Sequence, residues 1–131
     1  MTVVAAFIER DSRVLICQRR RDDVFPLKWE FPGGKVHAGE SPAQALAREL
    51  AEELELRVTI GRELFRTRHR YAEHPGDIEL IFFAVSVGDA AVGNLAFEQI
   101  VWEEPARLAA YDFLAADREF IALLAAGRLR L

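Results

Sequence analysis

Apolar positions along this chain follow two rhythms. In "TVVAAFIE" and "RVLICQR" they come in short β-branched runs joined at Asp11-Ser12, which predicts two strands and a tight turn. Arg21 to Lys28 is a polar loop containing Pro26, and "WEF" is a short strand that Pro32-Gly33-Gly34 should stop. The rhythm then changes. Leu46, Leu50 and Leu54 recur every fourth residue and predict a helix from Ser41 to Leu54. Ser41 is its N-cap, Pro42 suits the first turn, and Gln44 completes a capping box.

Beyond the helix, "RVTIGRELFRTRHRY" and "IELIFFAVSV" read as strands around the loop "AEHPGD", and "QIVWEE" as another. Pro105 to Leu108 suggests a helical turn. Asp117 to Ala126 suggests a second amphipathic helix, N-capped by Asp117 and stopped by Gly127. Strands, helix, strands, helix predict an α/β (α+β) domain, a mixed β-sheet sandwiched between α-helices. The 131 residues suit one domain, 1–131, with one core.

Charge narrows the partners. A net charge of -4 argues against polymeric nucleic acid, whose binding rests on basic surface. It leaves room for a small phosphorylated ligand if a cation supplies positive charge. The apolar run Val3 to Ile8 is too short to cross a membrane and has neither a basic lead nor a cleavage site. Cys17 is the only cysteine, so no disulfide framework is expected. A cytoplasmic protein is the simplest reading, with monomer and homodimer both open.

The chemistry gathers after the glycines. Glu49, Glu52 and Glu53 stand at i, i+3 and i+4, on one helical face beside the leucine stripe. Most acidic helix faces are simply solvated. Here Gly33 and Gly34 let the backbone approach a ligand or turn a carbonyl to a metal, and Glu40 adds a carboxylate. Hard cations such as Mg²⁺ take carboxylate oxygens and substrate phosphates together. "GGK" is not a Walker loop: Lys35 is followed by Val36, and no Gly stands five positions before Gly34. The absence of HExxH gives a zinc protease no support.

Gly34, five residues, Glu40, seven residues, Arg48-Glu49-Leu50, one residue, Glu52-Glu53, one residue, Glu55 and Leu56 resemble the Nudix box. The family has Gly where this chain has Glu55, and a left-handed Glu there would cost roughly 1–2 kcal/mol. "LICQRR", "WEFPGGK" and "YDFLAAD" are similar to the MutT branch and to bacterial CTP pyrophosphohydrolases. The resemblance implies a Mg²⁺-dependent enzyme, with Mn²⁺ a possible substitute, that hydrolyses a nucleoside triphosphate to the monophosphate and pyrophosphate. An 8-oxo-dGTP diphosphatase leads, and a CTP or 5-substituted dCTP pyrophosphohydrolase is the alternative. A nucleotide-sensing module of the same fold is the non-enzymatic rival, and an acidic helix without metal is a third reading.

The resemblance also implies roles. Glu52 and Glu53 ligate metal with the Gly34 carbonyl, and Glu49 is a ligand or the base for the attacking water. Arg48 orients the carboxylates, and Glu98 is a further candidate ligand beside its plainer reading as a surface acid. Arg19, Phe31, Lys35 and Asp117 are the substrate-binding candidates. Their plain readings are a strand arginine, a core aromatic, a solvated lysine and a helix N-cap. His69 and His74 read as loop histidines.

Overall fold

In the computed structural model, which describes residues 1–72 and 76–129, the helices lie on opposite sides of a seven-stranded mixed sheet. The strands are β1 (Thr2–Arg10), β2 (Arg13–Gln18), β3 (Trp29–Glu30), β4 (Gly33–Lys35), β5 (Ile60–His69), β6 (Ile78–Val85) and β7 (Gln99–Glu103). The helices are α1 (Pro42–Leu54) and α2 (Arg118–Ala125). The order runs β3-β2-β1-β6-β5, with β4 added to β1 and β7 to β2; only β1–β6 is parallel. Short 3₁₀ turns occupy Pro105–Ala110 and Ala115–Asp117.

The alternation of β1 divides the interior. Val4, Ala6 and Ile8 pack with Leu46, Leu50 and Leu54 of α1. Ala5 and Phe7 pack with Phe120 and Ile121 of α2. On the α2 side the rings of Phe82 and Phe120 stack with centroids 4.1 Å apart.

The short strand does stop before Pro32, but Gly33 and Gly34 open a further strand that the sequence reading did not expect. β1 and β2 pair only near their hairpin, at Glu9–Val14 and Arg10–Arg13. Beyond it they splay, and the segment Trp29–Lys35 crosses the gap. It pairs with β2 as β3, then with β1 as β4. The crossing requires a close approach at Gly33, where a Cβ would lie 1.9 Å from the Val4 carbonyl oxygen. The first strand past α1 also begins later than its apolar pattern suggests, at Ile60.

Helix α1 has the predicted capping box: Ser41 Oγ accepts from Gln44 N–H at 3.1 Å, and Gln44 Oε1 accepts from Ser41 N–H at 2.9 Å. It ends at Glu55 with φ 55° and ψ 31°, the left-handed conformation for which glycine is suited. Replacing Glu55 with Gly should therefore stabilise the protein by about 1 kcal/mol. Urea unfolding reads this directly, and no gain would show that the Glu55 side chain compensates.

Candidate functional site

Arg48 organises the outward face of α1. Its Nε and Nη2 grip both oxygens of Glu40 at 2.7 and 3.0 Å, and Nη2 also reaches the Lys35 carbonyl at 3.0 Å. Its Nη1 reaches Glu49 at 2.9 Å and Glu52 at 3.5 Å. One guanidinium thus ties the glycine-rich loop to the helix and serves three carboxylates. Glu40 also accepts the His37 amide at 2.9 Å. These bonds, that from Arg48 first, hold its carboxyl down at about 2.

Glu53 has no such partner. Its carboxyl turns inward, and Oε1 is buried without a hydrogen bond. Burial, then the charge of Glu49, then that of Glu30, push its pKa up to about 9, while the Gly33 amide pulls the other way. Glu49 packs over Gly34 so closely that a Cβ there would lie 2.4 Å from the Glu49 carboxyl carbon. Any larger residue at position 34 would expel that carboxylate.

Gly34 is held in the sheet beside β1. Gly34 stands opposite Val4, between backbone bonds from Val36 to Thr2 (2.9 Å) and from Ala6 to Pro32 (2.8 Å). The alternation of an antiparallel ladder makes Val4–Gly34 a bonded pair, turning the Gly34 carbonyl towards β1.

From Glu53 a cavity of about 620 Å³ runs through the gap between β1 and β2. Lys35, Gly33, Gly34, Arg19, Glu30, Tyr71 and Asp117 also line it. Asp117 is 4% exposed, and its Oδ2 is buried without a partner. Burial, then the Glu30 charge, raise its pKa well above the ordinary value, against the pull of Arg19. The N-cap reading of Asp117 is corrected: it precedes α2 with φ -87° and ψ -15°, and its side chain caps nothing. Gly127, with φ 66°, does follow the helix end.

Arg19 reaches the cavity, but each of its three side-chain nitrogens has an internal partner: Val24 O at 2.6 Å, Glu30 Oε1 at 3.0 Å and Asp23 Oδ1 at 3.1 Å. Glu30 is pushed up to about 6 by burial, partly offset by Arg19. Phe31 is both core and lining. It is 3% exposed and meets Phe7, Phe82, Phe113 and Phe120 with centroids 5.4–6.5 Å apart. Glu98 pairs with Arg21 at 3.3 Å. His69 packs on Tyr71 at 4.4 Å, and His74 lies outside the described residues. Sequence reasoning missed Phe25 and Tyr71, which no motif marks, and Glu30, although it stands inside "WEFPGGK".

Among the described residues, no three His, Cys, Asp or Glu side chains form a ready metal cluster. The reason is electrostatic: Glu49 leans on Arg48, Glu52 is exposed, and Glu53 turns inward. The unpartnered Glu53 oxygen beside Glu49 nevertheless suits a hard cation, which would supply the missing partner and the missing charge. No helix among the described residues is long and apolar enough to cross a membrane.

The NUDIX domain profile matches residues 1–124. The CTP pyrophosphohydrolase of Escherichia coli is 36% identical over 128 residues, covering 95% of this chain and 93% of that protein. A Mycobacterium tuberculosis protein provisionally named 8-oxo-dGTP diphosphatase 2 is 39% identical over 123 residues, covering 94% and 86%. The solution structure of the E. coli ORF135 protein superposes with a TM-score of 0.74 at 34% identity, covering 95% and 91%.

The raised Glu53 carboxyl has a stability consequence. Folding favours its protonated form; that contribution is complete below the ordinary value of 4.5 and is lost as pH rises towards 9. Thermal unfolding in EDTA should show the wild type losing stability over that window. Glu53→Gln should flatten the slope and be the more stable protein at alkaline pH, whereas parallel curves would contradict this setting for Glu53.

Proposed function

The chain belongs to the Nudix family, and on that premise we propose a divalent-cation-dependent nucleoside triphosphate pyrophosphohydrolase of the MutT type. Its substrates are oxidised deoxynucleotides such as 8-oxo-dGTP, cleaved to the monophosphate and pyrophosphate. The observation that carries this reading is the buried, unpartnered Glu53 oxygen at the edge of a nucleotide-sized cavity. Sanitising the nucleotide pool would place the protein in the cytoplasm, with one domain carrying the whole site.

Glu49, Glu52 and Glu53 would hold the cation, Mg²⁺ in the cell and Mn²⁺ as a substitute. When bound, the cation neutralises phosphate charge and acidifies water. Arg48 bridges Glu49 and Glu52 at one nitrogen and anchors them to the loop. Glu49 keeps one oxygen on Arg48, leaving the other as a cation ligand or as the acceptor of a proton from the attacking water. Gly34 leaves room for that carboxylate. Lys35 lines the cavity beside the glycines and meets phosphate there.

Asp117 reads the base. A neutral carboxyl, favoured by its burial, offers a donor and an acceptor together. That pair matches O6 and N1–H of a guanine edge, or N3 and the amino group of cytosine. The 36% identity to a CTP pyrophosphohydrolase favours cytosine nucleotides as the second reading. A sensing module would not need the intact acidic set.

Pyrophosphate release with Mg²⁺ should show a kcat/KM advantage for 8-oxo-dGTP over dGTP, CTP, dCTP and 5-methyl-dCTP. Preference for the cytosine nucleotides would select the second reading, and no release from any would refute both. Glu53→Gln should lower kcat roughly 100-fold or more while remaining folded. Asp117→Ala should alter base preference more than Mg²⁺ dependence; equal loss for every nucleotide would remove it from base reading.

A further inference from the structure

The loop between β2 and β3 carries two non-glycine residues in the left-handed region, Phe25 at φ 53° and Leu27 at φ 60°, on either side of Pro26. L-residues avoid this conformation because Cβ crowds the carbonyl, so its persistence needs support from outside the loop. Arg19 provides it. Its side chain binds the Val24 carbonyl and Asp23 within the loop and Glu30 behind it. Its backbone accepts from Leu27 N–H at 3.2 Å and donates to Lys28 O at 2.8 Å. Gln18 Nε2 adds a bond to the Leu27 carbonyl at 3.1 Å.

What this conformation places is one ring. Phe25 meets Tyr71 with centroids 4.9 Å apart and planes at 44°, and both residues line the cavity. Tyr71 is fixed from the other side: its hydroxyl accepts the Ala116 amide at 3.0 Å, one residue before Asp117. Phe25 belongs to neither core cluster and is only half-buried, so filling the core does not account for it. The geometry points to Phe25 and Tyr71 as the aromatic wall on which the nucleobase stacks while its edge faces Asp117, with Arg19 the positioning residue that holds Phe25 in place. Stacking is tolerant of base identity, so the wall sets affinity for any base and Asp117 chooses among them. This inference rests on the nucleotide reading above.

The experiment is steady-state kinetics on Phe25→Ala, Phe25→Trp and Arg19→Lys with dGTP and dCTP. Inorganic tripolyphosphate serves as a competitive inhibitor without a base. Phe25→Ala should raise KM about tenfold for both nucleotides, leave kcat within about threefold, and leave tripolyphosphate inhibition unchanged. Phe25→Trp should restore KM. Arg19→Lys, whose single nitrogen cannot reach acceptors set around three guanidinium nitrogens, should resemble Phe25→Ala. Wild-type KM in Phe25→Ala, or an equal loss of tripolyphosphate binding, would overturn the stacking wall while leaving the hydrolase reading intact. A wild-type protein that neither binds nor cleaves any nucleotide would overturn both.

Discussion

A carboxyl with one buried oxygen that no donor meets, beside two others of like charge, is the constraint on which this site depends. Glu53 cannot ionise comfortably where it stands: the Gly33 amide offsets its desolvation only in part, and Glu49 and Glu30 oppose its charge. Arg48 is close by but is committed to Glu40, Glu49 and Glu52. The fold therefore maintains a deficit of positive charge at one point, and that deficit is what a divalent cation with a phosphate chain would fill.

The splaying of β1 and β2 gives this point its surroundings. The segment Trp29–Lys35 bridges the gap and faces both ways. Its glycines admit the Glu49 carboxylate and the Val4 backbone, Glu30 receives Arg19, and Phe31 closes the aromatic core. The electrostatics of the two ends of the cavity meet at Glu30, whose charge acts on Asp117 and on Glu53. One short stretch of chain thus links the carboxylate helix to the buried Asp117.

The carboxylate helix was legible in the sequence because its information is local: Ser41, Pro42, Gln44 and the leucine repeat fix start, cap and buried face within fourteen residues. The spacing of Glu49, Glu52 and Glu53 followed directly. The sheet switch was not legible, since Pro-Gly-Gly is also a common strand stop, and which strand receives Gly33 is a long-range matter. Asp117 looked like a helix cap because Asp is common there; its burial depends on packing against strands distant in sequence. Arg19 looked free to bind substrate, but two of its three partners lie on a loop whose path no pattern predicts, and the third is Glu30 of β3. Phe25 and Tyr71 meet across 45 intervening positions, and only the fold brings the rings together.

The most direct test of the central claim counts protons. Calorimetric titration of Mn²⁺ or Mg²⁺ near pH 7.5, in buffers of differing ionisation enthalpy, gives the protons released per cation bound. A ligating carboxyl that is protonated beforehand must surrender its proton. The account predicts release of about one proton by the wild type and none by Glu53→Gln. Cation binding without proton release, or equal release by the two proteins, would contradict it.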